Sequence, residues 1–391
     1  MDKYQYIIIG GGMTADAALD GIRDLDPENK ILMISSDGVP PYNRPPLSKG
    51  LWKGKDPSSI WRNTQEKKVD LKLNALVTRI DPANEVVELS SGEKIGYDRL
   101  LIATGGAPRK LPFGGDKVIY YRNFDDYQKL RALSEEKTKF SVIGSGFIGS
   151  EIAAALAMQG CDVSLFDIGP GIGWNIFPEH MVNFLNEYYL EKGVKVFPGA
   201  RIEGITESTS GYQIRLENGE LHDTEAVVAG IGIQPNVKLA EQAELKVSNG
   251  IEIDQMLRTT NQDIFAAGDV ANFFNPLLNK RIRVEHEDNA NSMGKQAGRN
   301  MAGAGESYDY LPFFYSDLFD LGYEAIGELD SRGQIIEDWQ EKYQKGVLYY
   351  LKDRRVTGVL LWNVWDKVDE ARGVIAMKGP IEPKELIGRI K

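Results

Sequence analysis

Two glycine patterns are where this sequence could do chemistry. Gly10-Gly11-Gly12 with Ala15, and Gly144-Ser145-Gly146 with Gly149, each follow an apolar run and precede apolar residues at helical spacing. In such a turn the first glycine closes the bend, the second lets the backbone approach a pyrophosphate, and the third small residue lets helix pack on strand. The anion then meets a helix N-terminus, where unpaired N–H groups and the helix dipole favour negative charge. One match alone would serve as easily as a structural turn. Two, with Gly144 following Gly10 by 134 residues, point to two dinucleotide cradles of one design.

The second cradle carries its own specificity signal. Asp167, 23 residues beyond Gly144, ends the next apolar run, where a carboxylate would accept hydrogen bonds from a ribose diol. Ile168-Gly169-Pro170-Gly171 offers no Arg or Lys to neutralise a 2′-phosphate, which favours NADH over NADPH. The lesser reading is that Asp167 merely begins a loop. At the matching place the first cradle has Ser35-Ser36-Asp37, so either the Ser36 hydroxyl or Asp37 would meet a ribose.

The elements that must position these turns repeat. Residues 4–9 read as a strand, Ala15, Ala18, Leu19 and Ile22 as the buried stripe of a helix, and 30–34 as a second strand. Residues 140–143, the stripe Ile148, Ile152, Ala155 and Leu156, and 163–166 repeat that βαβ grammar. Each half closes alike, with 100–103 running into Thr104-Gly105-Gly106 and 226–229 running into Gly230-Ile231-Gly232. A further strand and glycine turn, 264–269, cannot complete the second sheet and is assigned back to the first. Beyond about residue 312, alternating runs such as 346–351 and 357–362 predict an α+β domain. The fold class is therefore α/β: two Rossmann-like dinucleotide-binding domains, one inserted in the other, plus a C-terminal α+β domain. The segments are 1–122 and 248–312 for the first domain, 123–247 for the inserted one and 313–391 for the last.

Composition bounds the partners. A formal charge of −11 works against nucleic acid or anionic lipid. No apolar run approaches the ~20 residues of a membrane span. A lone cysteine, Cys161, excludes an internal disulfide or dithiol and fits a reducing compartment; Cys161 reads as a core residue. The three histidines, His180, His222 and His286, have no zinc-site spacing. The first strand leaves no room for a leader on this sequence, so a cytoplasmic location, or a chain already processed, is expected.

The ordered set Gly10 to Ala15, Arg44-Pro45-Pro46-Leu47-Ser48-Lys49, Ala103-Thr104-Gly105, Gly144 to Gly149 and Ala267-Gly268-Asp269 resembles the two-dinucleotide-domain flavoproteins. Within them, Val284-Glu285-His286-Glu287-Asp288, Phe314-Tyr315-Ser316-Asp317, Gly322 to Gly327 and Leu361-Trp362-Asn363 look most like apoptosis-inducing factor and its bacterial relatives, with the ferredoxin and rubredoxin reductases nearby. The resemblance implies FAD in the first domain and NADH in the inserted one. It implies that Asp269 bonds the ribityl chain, that Arg44 and Arg122 lie near the FAD pyrophosphate and flavin, and that Val77 meets adenine through its backbone. Ala103, Thr104, Gly105, Ile148, Gly232, Gly268 and Glu287 are counted among the cofactor contacts on the same ground.

By the same resemblance Lys49, paired with Glu151, stands beside flavin N5, Phe147 covers the flavin face, and His286, with Glu285 nearby, reaches the N1/O2 side. Lys49, Glu151 and His286 are thus the catalytic candidates. Without it, Lys49 reads as a surface lysine, Arg44 as a solvated loop charge, and Phe147 and His286 as structural residues. Tyr315 stands where apoptosis-inducing factor has a tryptophan stacking on nicotinamide; Glu324 and Asn363 are implied as nicotinamide-side contacts and Gly173 as a loop contact to NAD. Ser36, Gln234 and the short connection 331–344 depart from the family pattern.

The implied activity is hydride transfer from NADH to flavin N5, then direct passage of electrons to a quinone or another small-molecule or protein acceptor, because no dithiol exists. Two alternatives stay open: a ferredoxin or rubredoxin reductase, and an NADH-responsive redox sensor acting through a flavin charge-transfer complex. A homodimer is one assembly the sequence allows.

Overall fold

The computed structural model describes residues 1–209 and 211–391. They fall into two units: Met1–Arg44, Pro57–Ala107 and Gln234–Pro312 form the first, and Pro45–Asp56, Pro108–Ile233 and Phe313–Lys391 the second.

In the first unit Lys3–Ile9 lies between Ile31–Ile34 and Lys94–Ile102, parallel to both, with Ile9 opposite Ile34 and Ile102. Asp70–Lys72 extends one edge, and the antiparallel strands Val86–Leu89 and Val77–Asp81 extend the other. Ile264–Ala266 pairs in parallel with Lys94–Ile102, Ile264 opposite Leu100, so the run after the second glycine pattern does return to the first sheet. The strand Ile31–Ile34 is buried at every position, the continuous apolar run expected of a parallel strand covered on both faces. Helix Met13–Arg23 buries Ala15, Ala18, Leu19 and Ile22, the stripe read from spacing. Helix Glu287–Met301, which the spacing did not reveal, buries Met293, Ala297 and Met301. It lies against Met13–Arg23 with Gly298 facing Ala18.

The second unit contains a wholly parallel sheet in the order Val194–Phe197, Asp162–Phe166, Lys139–Ile143, Ala226–Ala229, Val118–Tyr120. Val118–Tyr120 lies just ahead of the expected boundary at residue 122, yet its pairing with Ala226–Ala229 makes it part of this sheet. A three-stranded antiparallel sheet, Ile202–Ser208, Gly211–Leu216 and Leu221–Thr224, adds Ile205, Ile214 and Leu216 to the core beneath Phe166 and Val227. The C-terminal portion is an antiparallel sheet in the order Phe313–Leu318, Leu321–Gly327, Arg355–Trp362, Lys345–Lys352, Gln334–Glu341, followed by helix Val368–Ile375. Among the described residues no helix is long and apolar enough to cross a membrane, and no group of three or more His, Cys, Asp or Glu could hold a metal ion.

Candidate active site

The first cradle forms where Lys3–Ile9 ends. Gly10 has φ 132°, and a Cβ there would sit 2.2 Å from the Ala103 carbonyl oxygen, so only glycine lets the turn pass the end of the neighbouring strand. Gly12 caps helix Met13–Arg23 with no side-chain capping bond, which leaves first-turn N–H groups for an anion. The Arg44 Nη2 atom lies 3.8 Å from the Cβ position of Gly12, so its guanidinium stands over the turn. Ala15 is fully buried beneath it and Val77 is buried at the head of its strand.

Strand pairing places Ser35, Ser36 and Asp37 differently. Ile34 pairs with Ile9 as Phe166 pairs with Ile143, so Ser35 is the counterpart of Asp167. Ser35 is buried against Gly11, its Oγ accepting from the Asp37 N–H at 3.1 Å, whereas Ser36 is exposed. Gly268 and Asp269 form a one-turn helix directly after Ile264–Ala266. The Asp269 carbonyl accepts from Arg283, which also pairs with Glu285 at 2.6 Å. His286 is the N-cap residue of helix Glu287–Met301, in extended backbone, so Glu285, His286 and Glu287 cluster at that helix start. Thr104 and Gly105 are fastened to Asn236, whose Nδ2 donates to the Thr104 carbonyl at 2.8 Å and whose N–H donates to Gly105 at 3.0 Å.

An ionic network that sequence spacing gave no means of finding braces this helix. Asp16 is fully buried and accepts from Arg62 Nε at 2.6 Å, Lys67 Nζ at 2.9 Å and Thr64 Oγ1 at 2.6 Å. Its partners lie far along the chain, so no local pattern marks them. Asp16→Ala removes a buried carboxylate from Arg62 and Lys67, which keep only the Asn43 and Asp20 side chains, and is expected to cost about 3 kcal/mol of stability, read by denaturant unfolding. A loss under about 1 kcal/mol would mean that the cations re-solvate freely.

The second cradle repeats the first. Gly144 has φ 94°, and a Cβ on Gly149 would lie 1.7 Å from the Gly144 carbonyl, so the helix seats directly on the turn. Gly146 caps helix Phe147–Met158 without a side-chain bond, and a Cβ there would meet nothing within 4 Å. That opening, at a helix N-terminus, fits a pyrophosphate. Asp167 Oδ2 accepts from the backbone N–H of Ser145 at 2.6 Å and its hydroxyl at 2.7 Å, while Oδ1 accepts from Gly169 N–H at 2.7 Å. Two carboxylate oxygens offer about four acceptor sites, so Oδ1 keeps capacity for a ribose hydroxyl. Gly173 closes the loop by donating to the Ser145 carbonyl at 3.1 Å, and the Gly232 carbonyl accepts from Arg109 at 2.9 Å. Phe147, the first helical residue, is half-buried edge-on to Phe314 at 5.2 Å; Ile148 beside it is exposed.

The same unit brings Lys49 to Glu151. Two one-turn helices, Pro45–Leu47 and Gly50–Lys53, flank the lysine. Their segment is pinned by Trp52 Nε1 and the Tyr121 hydroxyl, which donate to the Leu47 carbonyl at 2.7 and 2.5 Å. Lys49 Nζ donates to Glu151 Oε1 at 2.7 Å, with side chains 13% and 2% exposed, and stands 5.1 Å from the centroid of Tyr315. Ser48 and Ser316, neighbours of singled-out residues but not themselves singled out, also donate to Glu151, each at 2.6 Å. Arg122 belongs to this unit as well, its N–H donating to Asp126 beside the Asn123 cap of helix Phe124–Glu136.

Two C-terminal candidates behave differently. Glu324 pairs with Tyr315 across the sheet; burial pushes its carboxyl up, and its buried Oε2 has no hydrogen-bond partner among the described residues. A carboxyl raised in the fold binds more protons there than in the unfolded chain, so its contribution is full at low pH and is lost as pH climbs through the raised value. The melting temperature of Glu324→Gln minus that of wild type should therefore grow from about pH 4 to about pH 8; a constant difference would show no linkage. Asn363 accepts from the Gly322 N–H at 2.8 Å and donates to the Gln344 carbonyl at 2.7 Å, so its amide is committed to joining strand ends. Cys161 is buried, with burial pushing its thiol up, as a core residue would be.

Comparison with known proteins agrees with this geometry. The model of the pyridine nucleotide-disulphide oxidoreductases matches residues 4–294. That of the mitochondrion-associated C-terminal portion of apoptosis-inducing factor matches residues 332–377. Apoptosis-inducing factor 1 of Dictyostelium discoideum is 32% identical, over 98% of this chain and 80% of its own length. The ferredoxin–NAD(+) reductase component of the anthranilate 1,2-dioxygenase system of Burkholderia cepacia is 31% identical, over 99% and 97%. The solved covalent complex of putidaredoxin reductase with putidaredoxin aligns with TM-score 0.91 at 29% identity, covering 98% of this chain and 95% of that one. A match over most of the chain, on the two glycine cradles themselves, makes this protein a member of the pyridine nucleotide-disulphide oxidoreductase family.

Proposed function

We propose that this chain is an FAD-dependent NADH oxidoreductase that holds FAD at the Gly10 turn and NADH at the Gly144 turn, and delivers electrons directly to a quinone or another acceptor. The supporting observation is the Lys49–Glu151 pair, an ammonium held at 2.7 Å on the helix that begins at the second cradle. FAD, when bound, supplies the redox chemistry, taking a hydride from NADH and releasing electrons to the acceptor. The chain's own part is to bind and to orient. Arg44 and the Gly12 N–H groups neutralise one pyrophosphate and the Gly146 N–H groups the other, while Asp167 Oδ1 takes a ribose hydroxyl. Lys49 presents fixed positive charge where negative charge develops, a preorganised stabilisation that costs nothing at the moment of reaction. On the family resemblance, His286 and Glu285 would meet the pyrimidine part of the flavin, and Tyr315, Phe147 and Glu324 the nicotinamide. FAD falls to the sheet that carries Gly10, NADH to the parallel sheet that carries Gly144 and includes Val118–Tyr120, and the last domain to 313–391.

A lone buried cysteine leaves no dithiol between flavin and acceptor, and supports a reducing, cytoplasmic setting. The net charge of −11 disfavours nucleic acid and, mildly, an acidic protein acceptor. A ferredoxin-type acceptor is the second reading, because relatives described as reductases of such proteins cover nearly all of this chain. The acceptor is tested by reducing the protein with NADH in a stopped-flow instrument and mixing it separately with quinone, ferredoxin and oxygen. Fast reoxidation by quinone supports the first reading and by ferredoxin the second. Failure of all three, with a change in mass on adding NADH, would favour a redox sensor that works as a homodimer.

A further inference from the structure

We propose that Ser48 and Ser316 are positioning residues that hold Glu151, and through it the Lys49 ammonium, in the place from which it acts on the flavin. The proposal rests on the function proposed above.

Glu151 is 3% exposed, so its carboxylate cannot complete its hydrogen bonds with bulk water. Three donors meet it instead. Oε1 accepts from Lys49 Nζ at 2.7 Å and from Ser316 Oγ at 2.6 Å, and Oε2 accepts from Ser48 Oγ at 2.6 Å. Both serines are buried, Ser48 at 6% and Ser316 at 0% exposure, so neither hydroxyl has water as an alternative partner. These are short bonds to an anion, the stronger class of hydrogen bond.

They come from separate elements. Ser48 lies on the pinned 45–53 segment, Ser316 on the C-terminal strand Phe313–Leu318, and Glu151 on helix Phe147–Met158. A carboxylate gripped only by Lys49 could turn about its last torsion and carry the ammonium with it. Hydroxyls on both oxygens remove that freedom. Lys49 spends one donor on Glu151 and keeps two, with the Tyr315 ring at 5.1 Å on one side. The serines thus convert a flexible side chain into a fixed charge, and a misplacement of the order of 1 Å at such a centre costs roughly a hundredfold in rate.

The test uses the FAD-loaded protein. Ser316→Ala, Ser48→Ala, Ser48→Thr, Lys49→Met and the double variant Lys49→Met/Ser316→Ala are compared by the limiting rate of flavin reduction at saturating NADH, the half-saturating NADH concentration, and the flavin midpoint potential. Each serine-to-alanine change should slow reduction on the order of tenfold and lower the potential. Half-saturation should stay within about twofold, as expected when only transition-state stabilisation is lost. Ser48→Thr, which keeps the hydroxyl, should restore the rate. In the Lys49→Met background the serine change should do nothing further, because the two act along one path. Should Ser316→Ala fold poorly, Ser48→Ala and its threonine rescue carry the same test. Serine variants with wild-type rate and potential, or an equal loss with and without Lys49, would overturn the proposal while leaving the proposed function standing. Wild-type flavin that NADH does not reduce would overturn both.

Discussion

Lys49→Ala should slow reduction of the bound flavin by NADH on the order of a hundredfold, the loss typical when one preorganised donor is removed from a developing negative charge. The cause is electrostatic. An ammonium 13% exposed and held by a carboxylate 2% exposed acts where little water intervenes, so its field on a neighbouring group is weakly screened. The variant should still turn yellow with FAD, because Gly10, Gly12 and Arg44 belong to the other unit. Its half-saturating NADH concentration should move little, because Asp167 and the Gly146 turn are untouched. Anaerobic stopped-flow measurement of the flavin absorbance reads both quantities. An unchanged rate would remove Lys49 from the site, whatever its contact with Glu151.

Gly149→Ala should separate the two cradles. An added methyl carbon would lie 1.7 Å from the Gly144 carbonyl oxygen, backbone against backbone, so the start of helix Phe147–Met158 must lift from its turn. The N–H groups that would face NADH then lose their alignment, and half-saturation by NADH should rise by at least about tenfold through lost charge–dipole contact. FAD should be retained, and chemical reduction by dithionite should still bleach it. Full NADH affinity in this variant would mean that the Gly144 turn is not where NADH sits.

What the sequence made legible follows from how local each signal is. Gly10 to Ala15 and Gly144 to Gly149 are contiguous, and the apolar runs beside them became the strands Lys3–Ile9 and Lys139–Ile143. Ile264–Ala266 could be returned to the first sheet because the second already had its closing strand, Ala226–Ala229. Helix Glu287–Met301 escaped notice because Asn289, Asn291, Gly294, Gly298 and Asn300 are poor helix formers, and packing against Met13–Arg23 supplies what propensity lacks. The pairing of Lys49 with Glu151, 102 residues apart, was visible only through resemblance.

Ser48 and Ser316 stand inside motifs of the resemblance but with no role attached to them, and the partners of Asp16 had no signal of either kind. Serine, lysine and arginine carry no periodicity, and their meeting at one carboxylate is decided by tertiary packing alone. Which of Ser36 and Asp37 would meet a ribose was equally out of reach, because periodicity does not say that Ser36 is exposed and Asp37 half-buried.

The central claim is that two dinucleotides bind this one chain and exchange electrons on it. Its most direct measurement is anaerobic: load the purified protein with FAD, remove the excess, and follow the visible absorbance during titration with NADH. The expected result is a yellow protein whose flavin band is bleached by about one equivalent of NADH, since a two-electron donor meets a two-electron acceptor. A protein that retains no flavin, or whose retained flavin dithionite bleaches and NADH does not, would contradict it.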